Sequence, residues 1–247
     1  MVDTGLAGWV GEARTRPGVV TLRVAGLGEG AVDALLGDLY DAPGVAVTTL
    51  GAADGVDVRL RSADAGCLRE VRVALAERLG DNLFAEGERR LVDVVGERLV
   101  DRGETLSVAE SCTGGMLAAE ATSVAGSSRW FRGGWVVYDN ALKETWAAVE
   151  PAVLERDGAV SEPVARQLAE AVRREARTDW GIGVTGIAGP GGGDEDKPVG
   201  LVHVALAGSR GTSHWRTRQP GDRGRVRRRT VAFALDRLRR ALTVARD

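Results

Sequence analysis

The sequence predicts an α/β protein in which a small α+β domain precedes a larger three-layer α/β/α domain with a mixed sheet. Strand-like and helix-like segments alternate along most of the 247 residues, which is typical of a sheet covered by helices. A polar break at Gly80-Asp81-Asn82 ends the first group of elements. The composition, 44% hydrophobic and 28% charged, is ordinary for a globular protein.

The smaller predicted domain covers residues 19–85 and follows a tail or linker stub at residues 1–18. The stub is rich in Gly, Thr and Arg and ends at Pro17-Gly18. Strands are indicated by short runs of β-branched residues, and helices by apolar residues at helical spacing. In order, the elements are a strand at 19–24, a helix at 31–40, strands at 45–50 and 56–60, and a helix at 66–79.

The larger predicted domain covers residues 86–247. Its first helix, 88–102, has one apolar face and stops at Gly103. Serine followed by proline within one turn marks the start of another helix at Ser161. The remaining elements are a strand at 105–109, a helix at 116–122, a buried strand at 135–138, a helix capped by Asp139 or Asn140, strands at 180–185, 199–207 and 212–217, and a closing helix at 222–245.

Several classes of protein are excluded by composition. No apolar run approaches the ~20 residues that cross a bilayer, and no signal peptide is visible, so we expect a cytoplasmic protein without a membrane partner. Two cysteines, Cys67 and Cys112, make no disulfide framework and are expected as free thiols. Residues 1–86 carry 8 Arg against 13 acidic residues, a poor match to nucleic acid.

A candidate nucleophile lies in the stretch from Val108 to Gly115. A predicted strand runs into Ser111-Cys112-Thr113 and two glycines and then into a helix. Backbone N–H groups at such a turn lack intrahelical partners and favour a developing anion. Ser111 is therefore the leading nucleophile, with Cys112 as its rival, although a serine before a helix is often only a cap.

Lys143 is the matching candidate base. The chain has 33 Lys+Arg, of which only Lys143 and Lys197 are lysine. A desolvated lysine can lose its proton and act as a base, which arginine cannot. Because Tyr138 precedes Lys143 in the same segment, we predict a Ser111–Lys143 site in which Tyr138 assists the lysine.

Other motifs favour less specific interpretations. Gly181 to Gly186 matches the G-x-G-x-x-G spacing, but no helix follows it, so a dinucleotide site is not expected. The loop at 186–193 is either a ligand contact or a flexible turn. His203 and His214 are predicted to be structural, and no Ser-His-Asp triad is expected. The arginines at 225–229 are expected on a solvated helix face, while Arg223 at the helix start could reach an anion.

Six blocks of this sequence resemble the CinA C-terminal domain, the nicotinamide-nucleotide amidohydrolase family also called PncC. The resemblance covers residues 88–245, and residues 19–85 more weakly resemble the small KH-like middle domain of full-length CinA proteins. The blocks are Ala109 to Gly115, Tyr138 to Lys143, Gly158 to Pro163, Thr185 to Pro190, Lys197 to Gly200 and Gly221 to Arg223.

The resemblance implies hydrolysis of the carboxamide of nicotinamide mononucleotide to nicotinate mononucleotide and ammonia, with no metal or cofactor. It implies Ser111, Lys143 and Tyr138 as catalytic residues and backbone amides from Thr113 to Gly115 as an oxyanion hole. A homo-oligomer, such as a dimer, is expected on the same basis. The implied substrate-binding residues are Glu110, Thr113, Gly114, Gly115, Ser128, Asn140, Gly186, Ala188, Gly189 and Arg223.

The departures from the family pattern leave an alternative open. Asp139, Ala141 and Leu142 differ from the frequent Tyr-Ser-Asn-Glu-Ala-Lys block. The N-terminal molybdopterin-binding-like domain of full-length CinA is expected to be lacking, so its pyrophosphatase activity is not carried over. The G-x-x-G spacings between Gly5 and Gly11 precede the first strand, so no RNA binding is expected. The alternative is a non-catalytic nucleotide-binding or competence-linked interaction module.

Overall fold

A computed structural model describes residues 18–243 of the protein. The chain divides into two compact units: the residues up to Gly51 with Val56–Gly87, and Ala52–Gly55 with the residues from Glu88 onwards. Three predicted features lie outside the described residues: the tail at 1–17, the glycine spacings within it, and positions 244 and 245 of the closing helix. Gly18, which was assigned to the tail, belongs to the first strand.

The smaller unit is a four-stranded sheet with two helices. Its elements are β1 (Gly18–Val24), α1 (Glu29–Leu36), β2 (Ala46–Ala52), β3 (Gly55–Ser62), α2 (Ala65–Leu79) and β4 (Leu83–Glu86). The strand order is β2-β3-β1-β4, and β1 runs antiparallel to both β3 and β4. Leu22, Leu36, Leu60 and Leu75 belong to its single apolar core.

Two details of this unit differ from the prediction. The helix predicted at 31–40 ends as an α-helix at Leu36, because Gly37 has a φ of 46° and a short 3-10 turn, Gly37–Asp41, follows. The four-residue strand β4 was missed, since it directly follows the polar break that was taken as the end of the domain. Short strands give little periodic signal.

The larger unit contains a five-stranded mixed sheet. Its elements are α3 (Leu91–Arg102), β5 (Leu106–Glu110), α4 (Met116–Thr122), β6 (Phe131–Val136), α5 (Asn140–Ala147), α6 (Pro151–Asp157), α7 (Glu162–Ala176), β7 (Trp180–Gly186), β8 (Leu201–Gly208), β9 (Gly211–Arg218) and α8 (Arg223–Ala241). The order is β6-β5-β7-β8-β9. Strands β5, β6 and β7 are parallel, whereas β8 and β9 are antiparallel to their neighbours.

Helices cover both faces of this sheet. One group, α3, α4 and α8, packs together, and the other consists of α5, α6 and α7. Strands β5 and β8 are buried along their whole length, as expected for a sheet sandwiched between helices. The predicted three-layer α/β/α class with a mixed sheet is thereby confirmed. Within residues 18–243, no helix is both long and apolar enough to cross a membrane.

Two elements of the larger unit were predicted wrongly. The strand predicted as buried at 135–138 is β6, which lies at the sheet edge with alternating exposure and ends at Val136. Tyr138 therefore follows the strand and is 58% exposed. Helix α6 was not predicted, although Pro151 occupies its first turn as the usual start signal.

Candidate functional site

The candidate site lies at the carboxyl edge of the parallel strands. Ser111 directly follows β5, and Val137 and Tyr138 follow its neighbour β6, whose last residue pairs with Glu110. The chain leaves β5 into α4 and leaves β6 into α5, which belong to opposite helix layers. Adjacent strands whose connections diverge in this way form a crevice where α/β proteins usually bind ligands.

The turn after β5 holds Ser111 in a fixed position. Its amide donates to the carbonyl of Val184 on β7 at 2.9 Å, and its carbonyl accepts from the amide of Gly114 at 3.1 Å. Gly114 and Gly115 have φ angles of 57° and 88°, a left-handed conformation that favours glycine. Ser111 itself is buried, and its Oγ has no hydrogen-bond partner among residues 18–243.

Glu110, a predicted substrate-binding residue, has its carboxylate engaged within the protein. Its fully buried carboxylate accepts hydrogen bonds from the amides of Leu117 at 3.0 Å and Ala118 at 2.8 Å. The carboxylate therefore occupies the amino end of α4, whose dipole favours an anion there. It follows that anion stabilisation near Ser111 depends on the amides of the turn rather than on those of α4.

Thr113 links this turn to α8. Its carbonyl accepts two hydrogen bonds from Arg227, at 3.2 and 2.7 Å, so Arg227 does not lie on a wholly solvated helix face as was expected. The Thr113 hydroxyl is buried and has no partner within the described part of the chain. Buried hydroxyls are normally paired, so Thr113 is an exception among the predicted substrate-binding residues.

Lys143 is buried on α5, with 1% of its surface exposed. Its Nζ donates to the carbonyl oxygen of Tyr138 at 3.0 Å and to Oδ1 of Asn140 at 3.3 Å. Burial lowers the pKa of Lys143 below its usual value, although Asp139 and, to a lesser degree, Cys112 oppose that shift. The lysine thus needs less free energy than an ordinary one to become a neutral base.

Lys143 contacts the backbone of Tyr138 and not its phenol. The backbone carbonyl of Tyr138 holds the lysine, whereas the phenol accepts from Nη2 of Arg223 at 3.0 Å. Arg223 also donates from Nη1 to the carbonyl of Gly189 at 2.9 Å, which ties the glycine loop to this site. Within residues 18–243, the partners of Lys143 Nζ do not include Ser111 Oγ.

Cys112 is a poor nucleophile in this environment. It is 5% exposed, and burial raises the pKa of its thiol to about 12. The thiolate is the reactive form of cysteine, so a neutral, enclosed thiol is inert. The environment of Cys112 therefore favours Ser111 as the candidate nucleophile.

Ser128 was also predicted in this site, and within this chain the structure places it at the amino end of β6. It lies in a short turn, Ser127–Arg129, just before β6 begins at Phe131. Strand β6 is parallel to β5, so its start and the carboxyl edge are separated by the strand's length, roughly 20 Å. Motif order along the chain did not distinguish the two ends of the sheet.

The loop after β7 supplies the other predicted contacts. Gly186 ends the strand, Ala188 is buried, and Gly189 has a φ of 82° and accepts from Arg223. Sequence reasoning did not select Thr185, which is buried at the end of β7 and donates to the carbonyl of Ala159 at 2.7 Å. A polar residue ending an apolar strand was the signal that could have found it.

The two histidines are brought together by the β8–β9 hairpin. Nδ1 of His203 lies 3.0 Å from Nε2 of His214, and their rings stack with centroids 5.1 Å apart. The sequence analysis did not pair the two residues, because strand register and not sequence spacing joins them. Across residues 18–243, no group of three His, Cys, Asp or Glu side chains could hold a metal.

Fold and site together define a class: a three-layer α/β/α protein whose candidate serine follows a central parallel strand, beside a buried lysine. The chain belongs to the CinA C-terminal domain family, whose family model matches residues 88–242. Among sequence relatives, it is 44% identical over 228 residues to a CinA-like protein of Koribacter versatilis, covering 90% of this chain and 55% of that protein. It is 39% identical to a putative competence-damage inducible protein of Alkaliphilus metalliredigens, covering 90% and 56%.

Solved structures give the same assignment. A competence/damage inducible protein of Agrobacterium tumefaciens is similar at 38% identity and a TM-score of 0.59, covering 63% of this chain and 98% of that one. A CinA superfamily protein of Klebsiella pneumoniae is similar at 32% identity and a TM-score of 0.60, covering 62% and 96%. The chain spans about half the length of the sequence relatives named above.

Proposed function

We propose that the protein hydrolyses the carboxamide of nicotinamide mononucleotide to nicotinate mononucleotide and ammonia, with Ser111 as nucleophile and Lys143 as general base. The observation that carries the proposal is the burial of Lys143, together with its hydrogen bonds and its lowered pKa. It is buried beside the Ser111 turn with carbonyl and amide oxygens as partners and a lowered pKa. The resemblance to nicotinamide-nucleotide amidohydrolases supplies the substrate.

In the first step, Ser111 Oγ attacks the carboxamide carbon and its proton passes to neutral Lys143. The tetrahedral intermediate then collapses, the C–N bond breaks, and the proton on Lys143 passes to the departing nitrogen, which leaves as ammonia. Water hydrolyses the resulting ester, again with Lys143 accepting a proton, and Ser111 is regenerated. General acid–base transfer of this kind typically contributes 10²–10⁴-fold to a rate.

The developing oxyanion is assigned to the turn amides. Glu110 already occupies the amides of Leu117 and Ala118, and the amide of Gly114 donates to Ser111. The amides of Thr113 and Gly115 have no acceptor among residues 18–243. One such donor is typically worth about 3 kcal/mol of transition-state stabilisation.

Lys143 must exchange a partner for this chemistry. Its Nζ hydrogen bonds to Tyr138 and Asn140 have to give way to a hydrogen bond with Ser111 Oγ, either directly or through one water. Catalytic hydrogen bonds are often long or absent without substrate and form in the complex. The 3.3 Å bond to Asn140 is the longer of the two and the easier to exchange.

The test is ammonia release from nicotinamide mononucleotide by the purified chain. Ser111→Ala and Lys143→Arg should each abolish release while circular dichroism and thermal unfolding remain close to wild type. Cys112→Ala is the matched control at the neighbouring position, and we expect it to keep its activity. Thiol alkylation should not inhibit the wild type, since only a cysteine amidase would show a sensitivity that Cys112→Ala removes.

The alternatives are outcomes of the same assay. Full activity in Ser111→Ala or Lys143→Arg would rule out the Ser-Lys mechanism, and loss of activity in Cys112→Ala would favour a cysteine amidase. If nicotinamide mononucleotide binds to the wild-type protein but releases no ammonia, the protein is a non-catalytic nucleotide-binding module.

A further inference from the structure

Lys197 is the other lysine of this arginine-rich chain, and no step of the proposed mechanism uses it. It lies in the glycine loop, residues 187–200, which joins β7 to β8. Gly189 of the same loop accepts from Arg223 at the candidate site. A contact between Lys197 and the rest of the larger unit therefore bears on where the loop meets the site.

The glycine loop is closed by its own hydrogen bonds. At its base, the amide of Ile187 donates to the carbonyl of Leu201, and the amide of Gly200 donates to the carbonyl of Ile187, both at 2.8 Å. Farther out, Oδ1 of Asp194 accepts from the amide of Lys197 at 2.6 Å. The amide of Asp194 donates in turn to the carbonyl of Lys197 at 3.1 Å.

Val199 packs against both arms of this loop. A Cβ at Gly189 would lie 2.7 Å from Cγ1 of Val199, and a Cβ at Gly193 would lie 2.6 Å from the amide nitrogen of Val199. Closely packed atoms cannot move independently and transmit a displacement to their neighbours. A shift at the Lys197 end of the loop would therefore reach Gly189.

The ammonium of Lys197 is bound outside the loop. Its Nζ donates to the carbonyl of Asp157, the last residue of α6, at 2.6 Å. The last carbonyls of a helix have no intrahelical partner and form the negative end of its dipole, so a cation is favourable there. The carboxylate of Asp157 pairs with Arg156 instead.

The two carbonyls that follow Asp157 are also held by side chains. The carbonyl of Gly158 accepts from the hydroxyl of Ser161 at 2.9 Å, and that of Ala159 accepts from the buried hydroxyl of Thr185 at 2.7 Å. The segment that receives Lys197 is thus fixed to the start of α7 and to the end of β7. It is a firm point to which the loop can be attached.

The space at this contact accounts for lysine rather than arginine. Gly158 has a φ of 74°, and a Cβ there would lie 3.0 Å from Nζ of Lys197. A lysine ammonium is a compact group on a flexible stem, whereas a guanidinium is a wide planar fork. Arginine at this position would not reproduce the contact.

We propose that Lys197 is a positioning residue of the candidate site: by holding the carbonyl of Asp157, it fixes the glycine loop where Gly189 meets Arg223. Lys197 acts through the loop and does not touch the reacting atoms. The inference rests on the proposed function and on the substrate contacts predicted for this loop.

The first test is the kinetics of ammonia release by Lys197→Met, which removes the ammonium and keeps an unbranched side chain. We expect the KM for nicotinamide mononucleotide to rise about tenfold with kcat nearly unchanged, because the loop contributes to binding and supplies neither nucleophile nor base. The rising limb of the pH profile should stay in place, since Lys197 does not contribute to the pKa shift of Lys143. A folding defect would instead lower the amount of active enzyme, and hence kcat, with KM unchanged.

Two further variants separate the contact from the charge. A cavity of about 250 Å³ is lined by Lys197, His203 and Arg216, among others. Arg216→Met removes an exposed positive charge from this cavity without touching the Asp157 contact, so its KM should equal that of the wild type. Lys197→Arg keeps the charge but not the compact contact, so its KM should rise. An unchanged KM in Lys197→Met, or an equal rise in Arg216→Met, would overturn the proposal.

Hydrogen exchange tests the same contact without substrate. Amides that donate within the loop, such as those of Asp194 and Gly200, should exchange about tenfold faster in Lys197→Met and at the wild-type rate in Arg216→Met. If the wild type releases no ammonia, the proposed function fails and the exchange rates judge Lys197 by themselves. Faster exchange then supports its positioning of the loop, and unchanged exchange overturns it.

Discussion

At the scale of the residue, the chemistry proposed here depends on how a single lysine is solvated. Lys143 is held by the carbonyl of Tyr138 and the amide oxygen of Asn140, so its hydrogen bonds are satisfied without a carboxylate in contact. Contact with a carboxylate would have stabilised the ammonium and raised the pKa of Lys143. The nearby charge that does act on it is Asp139, which caps α5 by accepting from Ala141.

Asp139→Asn should shift the pH dependence of ammonia release to lower pH. Asp139 raises the pKa of Lys143, so its removal lowers that pKa further. The active form is neutral Lys143, whose population rises as pH passes its pKa, so the rising limb of the rate profile moves to the acid side. Asparagine is also a good N-cap, so α5 should be retained.

The control for this prediction is Glu144→Gln on the same helix. Glu144 is exposed and does not contribute to the pKa shift of Lys143, so the profile should be unchanged. An Asp139→Asn profile that coincides with wild type, or moves to higher pH, would show that another group titrates in the rising limb.

At the scale of the element, the short helix α4 and the turn before it are stabilised together. The buried Glu110 carboxylate accepts from two amides of α4, and Arg227 of α8 donates to Thr113 in the turn. Hydrogen bonds to a charged group contribute more than neutral ones. The position of Ser111 is thus set by two helices as well as by β5.

Glu110→Gln should lower the free energy of unfolding by about 2 kcal/mol, because a neutral amide offers one acceptor oxygen and places an NH₂ group against an amide donor. Urea denaturation measures the change. Glu120→Gln, on the capped helix α4 itself, is the control. The contact of Glu120 with Arg90 is long, at 3.7 Å, and partly exposed. Equal stability of Glu110→Gln and Glu120→Gln would contradict the capping role.

Packing of α7 on β7 depends on glycine at the strand. A Cβ at Gly183 would collide with the carbonyl oxygen of Ala165 and lie 2.6 Å from the amide nitrogen of Ala169. Because backbone atoms cannot move aside, Gly183→Ala should destabilise the protein by about 1–3 kcal/mol or more. Thermal unfolding is the measurement, with Gly191→Ala as control, since a Cβ there meets nothing within 4 Å.

At the scale of the whole molecule, the proposed catalytic groups all belong to one of the two units. Ser111, Lys143, Tyr138 and Arg223 lie in the larger unit, and so does the cavity with His203. The solved relatives match this unit, since 62–63% of the present chain covers 96–98% of theirs. We therefore expect the proposed reaction not to require the smaller unit.

A chain of residues 88–247 should fold alone and release ammonia from nicotinamide mononucleotide at a rate within a fewfold of the full chain. The expectation rests on the separate cores of the two units. Circular dichroism and the ammonia assay together measure it. A shortened chain that is folded but inactive would show that the smaller unit contributes to catalysis.

Predictability differed between elements for physical reasons. Long amphipathic helices such as α3 and α7, and apolar strands such as β7, were found because many residues repeat one periodicity. The edge strand β6, the four-residue β4 and the seven-residue α6 were misplaced or missed, because short or half-exposed elements carry few periodic positions. Such elements are stabilised by tertiary contacts more than by local preference.

The sequence alone determined the fold class and the strand–turn–helix around Ser111, and it singled out Lys143 as a candidate base in a chain that otherwise uses mostly arginine. These features are local, or they follow from composition and periodicity. Only the tertiary structure decided that Glu110 caps α4, that Ser128 lies at the amino end of β6, that Cys112 is buried, and that His203 meets His214. Each of these depends on which residues the sheet register and the packed helices bring together, and on how far each side chain is removed from water.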